Sequence, residues 1–308
     1  MTKLIKKIVL IALPVLAFLV LFELLARTIP TSYGQKYKAL NTKKDSVEAL
    51  VMGSSHANFG IDPQYFGRPG FNMANASQCL SQDYQLLLKY LPLCKNVRLV
   101  LVPISYFTLQ TDLALSPEAW RCAYYSVYMG VNADASASGW ELRNNSALAL
   151  WEGPIGVVKN LKKAKKLRIN EFGYQAPEPN RQRVDEVIND SAGQQRVGYH
   201  NKIMNPSVLQ SNLAILGQMA ELLKKKNIQM ILLVTPVYRT YARHVDPKIY
   251  ATMVKVIAEV SNRYGVKSYN YFNDSRFDIS DFSDNDHLNE RGAKKLSLIL
   301  KQEIIDAR

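Results

Sequence analysis

The sequence predicts an α/β fold: a three-layer, doubly wound parallel sheet with helices on both faces. Short apolar runs alternate with amphipathic helical patterns in both halves of the chain, and continuous apolar runs are typical of parallel strands that are covered on both faces. Between about residues 112 and 205 this alternation is lost, which indicates an inserted helical or irregular segment. A long apolar segment at the N-terminus predicts one transmembrane helix in front of the domain.

The N-terminal segment has the charge pattern of a membrane anchor. Lys3, Lys6 and Lys7 precede an almost unbroken apolar run over residues 8–22, which with its flanks approaches the roughly 20 residues that cross a bilayer. Positive charge at this end predicts a cytoplasmic N-terminus and a periplasmic or extracellular remainder. A cleaved signal peptide is the alternative, because the apolar run is short. We expect a cytoplasmic tip and anchor over residues 1–30 and a linker over 31–45.

A first strand–helix–strand unit follows the linker. Residues 47–52 form a short apolar run that ends at Gly53, as a buried strand does when it meets a tight turn. Apolar residues at helical spacing predict a helix over 77–91, which Pro92 ends. Residues 97–102 are largely apolar and rich in valine, and they predict the next strand.

The second half repeats this pattern. A helical face over residues 209–223 precedes an apolar strand at 228–234. Asp246 has the position of an N-cap for a helix that continues to Gly265. A strand at 266–271 and a last helix over about 289–305 complete the predicted sheet and its covering layers.

The insertion at about 112–205 is aromatic-rich in its first part and strongly basic over residues 159–168. Such a basic stretch is typical of a solvated helix face, and less often of a patch that binds lipid or an anionic polymer.

The composition is that of a globular protein with a large positive charge. The 308 residues carry a net charge of +13, with 47% hydrophobic and 21% charged residues, which suits one α/β domain with a sizeable insertion. Nucleic acid is not expected as a partner, because no binding signature accompanies the charge and export argues against it. The three cysteines permit at most one disulfide and show no metal-ligand spacing. No ligand cluster stands out elsewhere in the sequence, and we expect no metal and no cofactor.

Two short motifs could supply a nucleophile and its base. Ser55 lies in a Gly-Ser-Ser-His stretch at the carboxyl end of the first predicted strand, where open α/β sheets place ligands. A nucleophilic serine needs a base, and the base needs an orienting carboxylate. Near the other end of the chain, His287 follows Asp284 by three residues. Asp286 is a second candidate carboxylate, although adjacency to His287 makes its geometry less favourable. A capping serine and a surface histidine are the non-catalytic alternatives.

On these motifs, residues 46–308 resemble the SGNH/GDSL hydrolase superfamily, whose first block is Gly-Asp-Ser after strand one and whose last block is Asp-x-x-His. The resemblance implies one catalytic domain over 46–308 with a flavodoxin-like sheet. It further implies that Ser55 is the nucleophile, that His287 is the general base and acid, and that Asp284 orients the histidine.

The middle blocks of the superfamily are altered in this chain. Ser77 replaces the glycine of the second block, Asn-x-x-x-x-Gly, and its backbone N–H can still join that of Ser55 in an oxyanion hole. The third block lacks its asparagine, so Ser105 or a residue of the insertion is expected to replace the missing amide donor. We also expect His56 and Asn75, which lie in the first two blocks, to contact substrate; a purely structural role is an equal alternative for His56.

This pattern is similar to the membrane-tethered branch of the superfamily, which includes proteins resembling the D-alanyl-lipoteichoic-acid biosynthesis protein and the alginate-type O-acetyltransferases. The similarity implies an esterase or O-acyltransferase outside the cell membrane that acts on acylated envelope glycans or small esters. Its implied partners are the lipid bilayer and a membrane-bound O-acyltransferase. The altered third block leaves a non-catalytic alternative: a module that binds glycan or docks a membrane acyltransferase.

Overall fold

The fold is built on a sheet of five parallel strands. A computed structural model describes residues 2–132, 142–178 and 184–307. The strands lie in the order β2-β1-β3-β4-β5, and all neighbouring pairs are parallel. Their bounds are Ala49–Val51 (β1), Gly70–Asn72 (β2), Leu99–Pro103 (β3), Gln229–Val234 (β4) and Lys267–Asn270 (β5). The strand order reverses beside β1, as in other doubly wound sheets.

The helices are numbered along the chain in the same way. Before β3 lie α1 (Thr2–Thr28), α2 (Ser32–Lys43), α3 (Ser55–Gly60) and α4 (Leu80–Tyr90). Between β3 and α11 lie α5 (Cys122–Tyr124), α6 (Leu142–Asn145), α7 (Ala147–Leu150), α8 (Gly153–Lys163), α9 (Val184–Ile188) and α10 (Asp190–Ile203). The last part of the chain forms α11 (Leu209–Lys225), α12 (Arg239–Ala242), α13 (Pro247–Tyr264) and α14 (Glu290–Leu300).

The sheet is buried on both faces, because successive strand residues point to opposite sides. In β3, Val100 and Val102 pack into the core that includes residues of α4, α11 and α13. Leu99 and Leu101 pack into a second core, which includes residues of α3 and α14. All five residues of β3 are buried. The predicted three-layer α/β architecture is therefore confirmed.

Three strand and helix details differ from the prediction. The sequence pattern does not indicate β2, because this short strand contains a glycine and an asparagine instead of an apolar run. β5 is largely exposed rather than buried, since it forms the edge of the sheet. After α14 the helix widens into a π-helical turn over Lys301–Ile305.

The expected linker at residues 31–45 is instead mostly helical, as α2, and it packs on the domain. Lys36 and Leu40 are fully buried. The Lys36 amino group donates to Asn58 Oδ1 at 2.7 Å and to the Ala74 carbonyl. Through these contacts α2 packs as part of the domain. The polar composition of residues 31–45 suggests a linker because the acceptors lie in other parts of the chain and leave no local pattern.

The inserted segment forms short helices on the same domain. α10 packs against α12, which ties the segment to the second half of the sheet. Trp140, part of the aromatic-rich stretch, lies outside the described residues. All three cysteines are buried, and no disulfide joins them in the described residues.

α1 is the one helix in the described ranges that is long and apolar enough to cross a membrane. It spans 27 residues, and its apolar side chains are exposed from Leu4 to Leu24. A helix that is apolar on all sides and uncovered by protein is typical of a membrane span or of a signal sequence.

Candidate functional site

A tight turn carries Ser55 from the sheet into a helix. β1 ends at Val51, and Gly53 then adopts a φ of 107°, a conformation that favours glycine because it has no Cβ. The Gly53 N–H donates to the buried carboxylate of Asp83 at 2.9 Å. Ser55 is the first residue of α3 and is only partly buried, so its hydroxyl remains accessible at the carboxyl end of the sheet.

His287 reaches Ser55 from a loop that Asp284 folds. Asp284 Oδ1 accepts the backbone N–H groups of Asp286 at 3.1 Å and His287 at 2.8 Å. The same carboxylate lies 2.9–3.0 Å from His287 Nδ1, and His287 Nε2 lies 2.8 Å from Ser55 Oγ. A carboxylate only accepts, so Nδ1 carries the proton and Nε2 can accept from Ser55. The structure thus brings together the predicted nucleophile, base and carboxylate.

A second carboxylate lies on the same histidine. Asp286 Oδ1 is 3.3 Å from His287 Nδ1, farther than the Asp284 oxygens, so Asp284 remains the direct partner. Asp286 is fully buried, and it accepts from Arg196 Nε at 2.9 and 3.1 Å and from His56 Nε2 at 3.0 Å. It therefore connects the base to residues from two other parts of the chain.

The charges of this cluster set the direction of its pKa values. Burial lowers the pKa of His287, but Asp284 and Asp286 outweigh this effect and raise it above its ordinary value. Burial alone raises the pKa of Asp286, whereas His287, Arg196 and the hydrogen bond from His56 hold it well below its usual range. Burial lowers the pKa of His56 despite Asp286. His56 is therefore neutral near pH 7, with its proton on the nitrogen that faces Asp286.

His56 and Ser105 lie behind the pocket wall and not in it. His56 Nδ1 is 3.0 Å from Ser105 Oγ, which is 3.4 Å from Ser54 Oγ, and all three residues are buried. The expected substrate contact of His56 and the expected oxyanion role of Ser105 are therefore not supported by the geometry. Consecutive residues on a helix differ by about 100° in direction, so His56 points into the core when Ser55 faces the pocket.

Ser77 lines the same pocket as Ser55. Its φ is 59°, a left-handed conformation that is strained for residues other than glycine and that explains why a glycine suits this position. Its side chain donates to Glu118 Oε2 at 2.7 Å, so the hydroxyl is already engaged with a protein group. Asn75 is buried and bonded to Met73 and Gln78, so the expected substrate contact of Asn75 is not supported either.

The pocket has a volume of about 420 Å³, a usual size for a small-molecule site. Arg196 of α10 lines it together with Ser55, Ser77 and His287. The Arg196 side chain is 35% exposed and pairs with Asp286 through Nε, while its terminal nitrogens have no hydrogen-bond partner among the described residues. Sequence patterns give no signal for Arg196, because it lies in the insertion and acts through a contact between distant parts of the chain.

One group of side chains has the composition of a metal site. His56, Asp286 and His287 offer ligand atoms within 4.8 Å of one another. These atoms already serve hydrogen bonds to each other and to Arg196, and the guanidinium charge opposes a cation at the same carboxylate. We interpret the group as a hydrogen-bond network.

Comparisons with known proteins give a family and several remote structural similarities, of which two are described below. The family described as "Protein of unknown function (DUF1574)" matches residues 148–302. No curated protein matches the chain in sequence. A protein from Bacteroides fragilis NCTC 9343, provisionally named an acylhydrolase, is 11% identical with a TM-score of 0.43, covering 90% of this chain and 98% of its own. A GDSL-like lipase from Bacteroides thetaiotaomicron VPI-5482 is 12% identical with a TM-score of 0.41, covering 88% and 98%.

Proposed function

This chain belongs to the DUF1574 family of proteins of unknown function, and we propose that it is a membrane-anchored serine esterase or O-acyltransferase of the SGNH/GDSL type. The observation that carries this proposal is the 2.8 Å contact between Ser55 Oγ and His287 Nε2, with Asp284 on the opposite ring nitrogen. A serine, its base and an orienting carboxylate in this order are the machinery of acyl transfer.

The proposed reaction begins with attack on an ester. Ser55 Oγ attacks the acyl carbon while its proton passes to His287 Nε2, and Asp284 stabilises the resulting imidazolium. When the tetrahedral intermediate collapses, His287 gives this proton to the leaving alcohol, and the acyl group stays on Ser55. In the second half-reaction His287 takes a proton from water or from a glycan hydroxyl, whose oxygen attacks the acyl carbon. The second tetrahedral intermediate collapses with cleavage of the bond to Ser55 Oγ, and His287 returns the proton to that oxygen. Water makes the protein an esterase, and a glycan hydroxyl makes it an O-acyltransferase.

The oxyanion of the intermediate needs donors on the pocket side of Ser55. We assign the backbone N–H groups of Ser55 and Ser77 to this role. Ser105 is engaged with His56, so we do not assign it to the place of the third-block asparagine. Arg121 and Arg196 both line the pocket. Arg121 pairs with Glu118, whereas the terminal nitrogens of Arg196 have no partner among the described residues and can bind substrate. We therefore assign Arg196 to the negative charge of the intermediate or of the substrate.

The proposed location is the outer face of a cell membrane. α1 supports an anchor by length and composition, and the lysines at its start favour a cytoplasmic N-terminus. An ester-active domain held there would meet acylated envelope glycans, and a membrane-bound O-acyltransferase is the partner that could supply its acyl groups.

A fluorophosphonate probe tests the nucleophile on the detergent-solubilised full chain. Wild type and Ser54→Ala should be labelled, because Ser54 is a buried neighbour of the same size, whereas Ser55→Ala and His287→Ala should not. Equal labelling of wild type and Ser55→Ala would refute the proposal.

Hydrolysis and transfer can then be separated. With a p-nitrophenyl ester as acyl donor, steady-state release of p-nitrophenol should be faster when glycan oligosaccharides are added if transfer is the activity, because deacylation then frees Ser55 sooner, and the acyl group should be found on the oligosaccharide. Release that does not depend on the oligosaccharides, with free acid as the product, indicates an esterase.

The changed third block favours one competing function: a non-catalytic module that binds glycan or docks a membrane acyltransferase. That function predicts no probe labelling at all and full biological function of Ser55→Ala. Loss of function in Ser55→Ala at normal abundance would exclude it.

A further inference from the structure

The C-terminal end of α1 is built into the domain. The Glu23 carboxylate accepts from Ser146 Oγ at 2.7 Å and from the backbone N–H groups of Ala147 and Leu148 at 3.1 and 2.9 Å. It thereby caps the start of α7. Ala26 is buried, and its carbonyl accepts from Tyr128. α1 is thus joined to the domain by specific contacts.

This junction sets the height of the domain relative to a bilayer. A span of about 20 residues crosses the hydrocarbon core, and in α1 the apolar run leads directly to Glu23. A carboxylate is costly within the hydrocarbon, so Glu23 marks the boundary with the headgroups. Since Glu23 caps α7, the start of α7 lies at the same boundary between the hydrocarbon and the headgroups.

Aromatic side chains extend from this junction along the domain. Tyr124 lies between Tyr128 and Trp120, with ring centres 6.0 and 5.4 Å away, and 5.6 Å from Trp151. The Trp151 indole N–H donates to the Tyr128 hydroxyl. Tryptophan and tyrosine are enriched at membrane–water interfaces, where their amphipathic rings are well solvated. We call Trp120, Tyr124, Tyr128 and Trp151 the aromatic belt; Tyr128 is buried, Tyr124 and Trp151 are partly buried, and Trp120 at its outer end is 53% exposed.

α8 presents an apolar and basic outer face next to the same junction. The helix contacts α1 and buries Val157 against the domain, while Ile155 is 85% exposed and Val158 is 42% exposed. Lys159 and Lys162 share this outer face at helical spacing and are exposed. Apolar residues that can enter the interface and lysines that can reach anionic headgroups are typical of an interfacial helix.

The Ser55 pocket opens close to this surface. Ser32 lines the pocket and follows the end of α1 at Thr28 by four residues, a chain length that spans at most about 14 Å. Ser116 and Pro117 also line the pocket, and the same segment exposes Leu115 by 65% and Trp120 by 53%.

We propose that the domain rests on the lipid surface through Trp120, at the outer end of the aromatic belt, and through α8, with the Ser55 pocket opening beside the headgroup layer. This inference depends on the membrane anchor of the proposed function but not on the chemistry at Ser55. Continuity with α1 and the positive charge of α8 identify the occupant of this face as an anionic bilayer. The pocket then takes ester groups that are presented at the membrane surface.

The test uses the full chain reconstituted in vesicles of phosphatidylcholine with phosphatidylglycerol. An environment-sensitive dye is placed at Ile155→Cys and, as a control, at Val254→Cys, a partly exposed position on α13. The buried native cysteines make the wild type the control for background labelling. The dye at position 155 should emit at shorter wavelength and be quenched by nitroxide-bearing lipids, whereas the dye at 254 should behave as in water.

Identical, water-like emission at both positions would overturn the inference while leaving the anchor in place. Extraction of the chain from the vesicles by alkaline carbonate would overturn both the membrane anchor of the proposed function and this inference. Neither result changes the expected labelling of Ser55, which tests the chemistry separately. In a second variant, Lys159, Lys162 and Lys163 are replaced by glutamine, which should reduce quenching at position 155. The matched change of Lys224, Lys225 and Lys226 at the C-terminal end of α11 should not reduce quenching, and equal quenching in both variants would refute the role of headgroup charge.

Discussion

The buried carboxylate of Asp286 lies 3.0 Å from His56 Nε2. His56 follows the proposed nucleophile and Asp286 precedes the proposed base, so this contact joins the two ends of the domain directly behind Ser55 and His287. Because Arg196 donates to the same carboxylate, the inserted segment is fixed to the site as well. The contact supports Ser55, at the start of α3, and His287, in the loop before α14, from the side opposite the pocket.

Asp284→Asn should slow probe labelling by a factor on the order of 10²–10⁴, because the imidazolium loses its counter-charge and the tautomer is no longer fixed. Only neutral His287 accepts a proton, and its pKa lies above the ordinary value. The wild-type rate should therefore rise with pH through a midpoint above about 6.5, and the variant midpoint should be lower. Labelling rates from about pH 5 to pH 9 measure both effects; an unchanged midpoint would show that Asp284 does not act on His287.

Asp286→Asn should destabilise the fold more than Asp284→Asn, by about 1–3 kcal/mol in the free energy of unfolding. The change leaves Arg196 without its buried counter-charge, and the partial exposure of that side chain moderates the cost. Thermal melts of the two variants in the same detergent provide the comparison. A less stable Asp284→Asn would mean that the buried network contributes little.

Arg196→Gln should reduce labelling by an anionic or polar acyl phosphonate by about tenfold or more, since a donor to developing charge is lost. Arg196→Lys keeps the charge but loses the planar geometry, and we expect it to recover only part of the rate. Tyr199→Phe, which changes a neighbouring residue of the same pocket wall, serves as the control. Wild-type rates in Arg196→Gln would remove Arg196 from the reaction.

Asp83→Asn should change how stability depends on pH. Burial raises the pKa of Asp83 from an ordinary value near 3.8 to about 6. The buried carboxyl group favours the folded state when it is protonated. This contribution is fully present below the ordinary pKa of an aspartate and is lost as pH rises through about 6. Both donors to this side chain, Gly53 N and Gln78 Nε2, use Oδ1, so an amide can keep them. The wild type should lose more stability than the variant between about pH 4 and pH 7, as melting temperatures can show; parallel curves would contradict the raised pKa.

Ser77→Gly should retain probe labelling within about twofold, because the backbone N–H is kept. Relief of the left-handed conformation, worth about 1 kcal/mol, offsets the lost hydrogen bond to Glu118. Ser77→Val has a β-branched residue at the same φ and should lose both stability and labelling. Loss of labelling in Ser77→Gly at normal stability would assign the oxyanion contact to the Ser77 hydroxyl instead of the backbone N–H.

Local patterns predict the sheet and the three principal site residues, whereas contacts between distant segments decide the rest. β1, β3 and β4 are apolar runs, and Ser55 and the Asp284–His287 pair lie in short motifs, so each is visible without the fold. β2 lacks an apolar run. The direction of His56 and the pairing of Arg196 with Asp286 arise only when α3, α10 and the loop before α14 pack together.

Lys36 has a consequence for any shortened version of the protein. Its amino group lies inside the domain and holds Asn58, three residues after Ser55, and the carbonyl of Ala74, three residues before Ser77. Burial without a carboxylate partner holds the pKa of Lys36 well below its usual range. A soluble fragment cut at the boundary that composition suggests, near residue 46, would leave these acceptors facing an empty slot. Secreted or crystallisable fragments should therefore begin before α2, and loss of activity in a shorter fragment would report a damaged pocket, not the need for a membrane.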